Sequence, residues 1–133
     1  MQFRESQPIY LQIAQYACER ILLKEWKSGD RIPSVRDLAI LLEVNPNTVM
    51  RTYEFLHKND VIDNERGIGF FVSDKGTRNA LEYCKTEFIK KEMPYLFRNL
   101  VLLEIELNEL VPAFEKYKRK NYPNIQMAQN ENK

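Results

Sequence analysis

The sequence predicts a mostly helical α+β chain, and three observations carry that prediction. Two short amphipathic helix patterns lie either side of a tight turn between Val35 and Leu56. Two β-rich runs around a loop with two glycines follow at once, between Val61 and Val72. Past Val72 the apolar residues keep helical spacing as far as Tyr117. Helix, turn, helix and hairpin in that order make a winged helix-turn-helix with a small β-hairpin wing, and a short helical region follows it. A chain of 133 residues has room for one core and an appendage, since domains run to ~100–150 residues. The expected division is 1–75 for the winged helix-turn-helix, 76–120 for a C-terminal helical dimerisation region and 121–133 for a polar tail expected to be disordered.

The first helix opens at Pro8, whose fixed φ suits a first turn. Ile9, Ile13, Tyr16, Ala17 and Ile21 give it one apolar face to about Leu23. Gly29 sits in the exit turn, and Arg31-Ile32 are expected to form a short strand against the wing. Ser34 can accept from an orphan N–H and Asp37, three residues on, can complete a capping box, so a second helix starts at Val35 and runs to about Glu43. Val35, Leu38, Ala39 and Leu42 form its apolar face. Asn45 as cap and Pro46 in the first turn start a third helix immediately. Its buried face is Val49, Tyr53 and Leu56, which leaves Asn47, Thr48, Met50, Arg51 and Thr52 near an exposed start. The hairpin follows, with Gly67 and Gly69 in its loop permitting a close backbone approach.

Beyond Val72, Ser73 or Asp74 can cap a long helical run through Ala80, Leu81, Cys84, Phe88 and Ile89, which Pro94 should end or kink. Tyr95, Leu96, Leu100, Val101 and Leu103 resume the pattern, and Leu107, Leu110, Val111, Phe114 and Tyr117 extend it, with Pro112 near the start of a last helix. So many apolar residues have no globular mass to cover them. Leu81, Phe88, Leu96, Leu100, Leu103, Leu107, Leu110 and Phe114 are therefore expected to pack against a second copy of the chain.

Composition narrows the function classes. Hydrophobic content of 44% and charged content of 29% are those of an ordinary globular protein. No apolar run approaches the ~18 residues of a membrane span, and no signal peptide precedes Pro8, so a cytoplasmic protein with no membrane partner is expected. Cys18 and Cys84 are too few and too far apart to suggest a disulfide framework or a zinc site. His57 stands alone, and Asp60, Asp63 and Glu65 fit no calcium loop, so no metal and no cofactor are expected. No nucleophile elbow, glycine-rich phosphate loop or paired carboxylates appear, which argues against an enzyme. The 20 basic and 19 acidic side chains nearly cancel. Binding to nucleic acid would therefore rest on the placement of Arg36, Arg51 and Arg66 rather than on bulk charge.

The strings Pro33-Ser34-x-Arg36-x-Leu38-Ala39, Val44-Asn45-Pro46-Asn47-Thr48-Val49-x-Arg51-x-Tyr53 and Gly67-x-Gly69-x-Phe71-Val72 resemble the GntR family of bacterial transcription regulators, and its short YtrA-like branch most. The resemblance is close from Pro8 to Val72 and rests only on length and helical character beyond. It implies a break in the C-terminal helices near Glu104, which no Gly or Pro marks. It also implies a homodimeric, sequence-specific regulator of transcription, in the repressor role, binding double-stranded DNA as its partner. Ser34, Arg36, Asn45, Asn47, Thr48, Arg51, Arg66, Gly67 and Gly69 are its expected DNA-contacting residues. Many relatives carry basic residues at the Pro46 and Met50 positions, so the base-reading set does not transfer whole. An unidentified small-molecule effector is a further expected partner. The alternative is a winged-helix module that docks on protein without specific DNA binding.

Overall fold

The computed structural model describes residues 7–124. Residues 1–6 and residues 125–133, the latter most of the expected polar tail, lie outside the described residues. Two compact units divide the chain, Met1–Phe88 and Ile89–Lys133.

The first unit holds α1 (Ile9–Leu22), α2 (Val35–Leu42), α3 (Pro46–Lys58), β1 (Ile62–Glu65), β2 (Gly69–Val72) and α4 (Gly76–Glu87). Its core takes Ile13, Ala14, Ala17, Cys18 and Ile21 from α1, Leu38 and Ala39 from α2, Val49, Tyr53 and Leu56 from α3, and Ile32, Val61, Ile62, Val72 and Ala80 from around them. Each fully buried large side chain among these contributes ~1.5–3 kcal/mol through removal from water. Ile9 was expected on this face but is half exposed, because the buried stripe of α1 begins a turn later at Ile13. Both caps read from sequence form: Ser34 Oγ accepts from Asp37 N at 3.0 Å and Asn45 Oδ1 from Asn47 N at 2.7 Å.

The strands pair antiparallel, Ile62 opposite Val72 and Glu65 opposite Gly69. Arg31 bridges Phe71 on the other edge of β2, and Ile32 N donates to Phe70 O at 2.9 Å, so the expected short strand is present.

Neither Ser73 nor Asp74 caps α4. The Ser73 hydroxyl is buried and donates to Asp60 O at 2.7 Å, which leaves Lys75 at the cap position with no side-chain bond. Gly76 and Ala80 are buried against the core. The first unit thus runs through α4, past the division expected at residue 75. Cys18 and Cys84, distant in sequence, meet between α1 and α4 as free thiols. The hydrogen bond between them, and burial after it, push the Cys18 thiol up. The same bond holds the Cys84 thiol below its ordinary value.

A π-helical turn, Phe88–Glu92, follows α4. Pro94 neither ends the run nor sits in a regular helical interior: it falls in the first turn of α5 (Met93–Leu102), just past the widened turn. The looser spacing accommodates a residue that lacks an N–H and crowds the carbonyl behind it. The second unit continues through a 3₁₀ turn (Leu107–Glu109) into α6 (Leu110–Asn121). The break near Glu104 is a left-handed helix stop: Glu104 has φ 56°, with Ile105 N on Leu100 O at 2.9 Å and Glu104 N on Val101 O at 3.3 Å. From Ile89 to Asn124 no described residue is buried.

Among the described residues, four helices end in this way. Lys24, Glu43, Asp60 and Glu104 follow or close α1, α2, α3 and α5 at φ 56–67°, in the position glycine usually takes.

Candidate nucleic-acid interface

The parts of a winged helix-turn-helix must be held at fixed angles, and one residue of α3 ties three of them together. The Tyr53 hydroxyl donates to Pro33 O, just ahead of α2, at 2.6 Å, and its ring meets Phe70 of β2 edge-on with centroids 4.8 Å apart. Burial, and after it the nearby Tyr16, push the Tyr53 phenol well above its usual range.

The start of α3 lies on the surface. Asn47, Met50 and Arg51 are exposed and Thr48 is half-buried, while Val49 behind them is fully buried. Thr52, expected at the exposed start, is instead completely buried. Its hydroxyl lies 2.7 Å from Tyr10 O and 3.2 Å from Thr48 O, so the polar group is satisfied inside the contact between α1 and α3.

Arg51 does not pair with Glu54, the partner its spacing allows. Its guanidinium carbon lies 3.9 Å from the centre of the Tyr10 ring. Tyr10 lies in α1 but is not among the residues whose spacing marks that helix's apolar face. No spacing marks a contact between side chains on different helices, so the sequence carried no signal for it.

Ser34 and Arg36 are exposed at the start of α2, and Asn45 and Asn47 are joined by the cap that opens α3. In the wing, Ile68 N closes a tight turn on Glu65 O at 2.9 Å, with Gly67 at φ 75° and Arg66 exposed at the tip. Gly69 is approached closely from within the chain itself. A Cβ there would stand 2.8 Å from Nε and 3.1 Å from Nη2 of Arg31, so the open face of Gly69 is covered by the Arg31 side chain. The sequence marks that exposed arginine only as part of a short strand. Arg31, Arg36 and Arg66 have no ion pair among the described residues.

A helix-turn-helix backed by a two-stranded wing defines a winged helix-turn-helix protein, the class in which the second helix of the pair is the recognition helix. Residues 9–72 match the family model of bacterial regulatory proteins, gntR family. The chain is 36% identical over 107 residues to the HTH-type transcriptional repressor YtrA of Bacillus subtilis, covering 80% of this chain and 82% of YtrA. It is 46% identical over 74 residues to the HTH-type transcriptional regulator YhcF of the same organism, covering 56% of this chain and 61% of YhcF, less than two thirds of that relative. A crystal structure of a GntR-family transcriptional regulator from Bacteroides thetaiotaomicron superposes with a TM-score of 0.66 at 43% identity, covering 86% of this chain and all of that one. The chain belongs to the GntR family of bacterial regulatory proteins. These relatives are named as regulators, not enzymes. Among the described residues no helix is long and apolar enough to cross a membrane.

Proposed function

We propose that this chain is a sequence-specific DNA-binding repressor of transcription that acts in the cytoplasm as a homodimer on a two-fold operator. The observation that carries the reading is the start of α3, where Asn47 and Arg51 are exposed beside the half-buried Thr48 and that start offers no aromatic anchor of its own, with its opposite face locked in the core. Asn47, Thr48 and Arg51 face base edges and phosphates there. Ser34, Arg36 and Asn45 meet the backbone from the helix starts, and Arg66 and Gly67 from the wing. Gly69 serves through the Arg31 side chain lying on it. YtrA, named a repressor, supports the repressor role.

Dimerisation belongs to the C-terminal helices. Leu96, Leu103, Leu107 and Phe114 are 38–66% exposed, and Leu100 and Leu110 are half-buried, in a region without a buried core of its own. Self-complementary packing across a two-fold axis would cover them, together with Leu81 and Phe88. A small-molecule effector would act through that assembly.

Selection of bound sequences from a random duplex pool tests the proposal. Enrichment of a two-fold repeat supports it, with affinity falling in salt at a log–log slope of about −0.9 for each phosphate neutralised. No enrichment overturns it in favour of a module that docks on protein, a reading that the near balance of charge favours.

A further inference from the structure

Tyr10 touches the recognition helix at three residues. Its ring lies under Arg51 at 3.9 Å, its carbonyl accepts from the buried Thr52 hydroxyl at 2.7 Å, and its ring edge meets Phe55 with centroids 6.2 Å apart at 79°. Phe55 is itself held edge-on by Tyr83 of α4 at 5.5 Å. A ring fixed through its own backbone and backed by a second ring gives the guanidinium above it a settled plane. We propose that Tyr10 is a positioning residue for base reading: a rigid aromatic shelf that holds Arg51 in the plane from which it grips a guanine edge in the major groove of duplex DNA. The proposal deepens the DNA-binding reading above and rests on it.

The two contacts do not compete for the same part of the guanidinium. Stacking on a ring uses its flat face, whereas all five N–H donors point outward in the plane. A bidentate pair with guanine O6 and N7 uses that edge alone. Arg51 is exposed, and no carboxylate among the described residues pairs with it, so its edge is open. A long side chain free in water loses rotamer freedom when it grips a base, and one already laid on a ring has lost much of it beforehand. The advantage is realised only where a guanine stands opposite, so the shelf sharpens selectivity at one position of each half-site.

The test is a double-mutant cycle on the full-length protein, using the duplex enriched from the random pool and its single-base-pair variants. Tyr10→Leu should bind the enriched duplex about 3- to 30-fold more weakly, with the loss concentrated at one base pair per half-site. Tyr10→Phe, which keeps the ring, should bind like the parent. In an Arg51→Ala background Tyr10→Leu should cost nothing further. An equal loss with and without Arg51, or one spread evenly over all sequences, assigns Tyr10 a merely structural role and overturns the proposal. Arg51→Lys keeps the charge but not the planar fork, and needs no change in the core. It should lose the same base preference, and an unaltered preference also refutes the assignment, even if Tyr10→Leu does not fold. Failure of the parent protein to enrich any duplex is a separate result, which overturns the DNA reading and the shelf with it.

Discussion

Gly76→Ala is a substitution whose sign must be worked out, because two effects oppose each other. In a helix, alanine is favoured over glycine by up to ~1 kcal/mol. Gly76 opens α4 with its face against the end of β2, and a Cβ there would stand 2.5 Å from Val61 O and 2.7 Å from Val72 Cγ1. Comfortable contacts begin at ~3.5 Å, so both must open by about 1 Å. Neither neighbour can yield easily: Val72 is buried, and Val61 O already accepts from Ser73 N at 3.0 Å. Overpacking costs ~1–3 kcal/mol and strain on that hydrogen bond adds ~0.5–1.5 kcal/mol. The balance is a loss of ~1–3 kcal/mol. For a domain of 60–100 residues this lowers Tm by roughly 5–20 °C. Thermal melts followed by circular dichroism at one protein concentration measure it, with exposed Arg78→Ala on the same helix as a control expected within ~0.5 kcal/mol of the parent. An unchanged or raised Tm for Gly76→Ala would refute the claim that α4 is seated on the Val61 backbone.

Three further outcomes follow from the same geometry. Gly69→Ala should expel the Arg31 side chain from the wing, leaving the fold within ~1–2 kcal/mol of the parent while weakening duplex binding; unaltered binding would show that the Arg31 position does not matter. Tyr53→Phe should cost ~1–2 kcal/mol at neutral pH through loss of the bond to Pro33 O. It should also flatten the alkaline fall in stability. The folded chain holds the Tyr53 proton above the ordinary phenol range, so the Tyr53 contribution to stability is full below pH ~10 and is lost above it as the unfolded chain ionises first. Tyr83, pushed up to about 12 chiefly by burial, leaves a residual slope in the variant. Urea titrations at pH 8 and 11 decide this, and equal slopes for variant and parent would refute it. Cutting the chain after Phe88 should leave a cooperatively folding monomer, whereas cutting after Asp74 removes the buried Gly76 and Ala80 and should lower stability sharply. Light scattering and melts separate the two, and a fragment ending at Phe88 that dimerises like the full chain would place the dimer contact in the first unit.

Much of the first unit was legible because its signals are local. Ser34 and Asn45 announce their helices by capping chemistry, Val49, Tyr53 and Leu56 mark a buried face by spacing, and the Gly67 turn announces the wing. What escaped depends on contacts between elements. Thr52 looks like a surface residue until the Tyr10 carbonyl arrives from α1 to accept its hydroxyl. Ser73 looks like a cap until it is drawn inward to Asp60 O. The contact of Arg51 with the Tyr10 ring and the cover of Arg31 over Gly69 join groups that no periodicity relates. The glycine pattern of the wing was visible, but not which side chain would occupy the space it leaves.

The left-handed helix stops at Lys24, Glu43, Asp60 and Glu104 also bear on how this sequence can drift. A stop made by glycine is hard to replace, since most substitutions meet the steric penalty of the left-handed region. At these four positions that penalty is already present. Exchanges among ordinary polar side chains there should be close to neutral, and a change to glycine should relieve strain. Three of the stops are followed by an apolar residue, Val44, Val61 or Ile105, whose amide closes the turn on the helix just ended. The constraint therefore passes from the residue that bends to the one that comes after it. Relatives aligned by their glycines would misplace these helix ends, whereas the apolar follower would find three of the four.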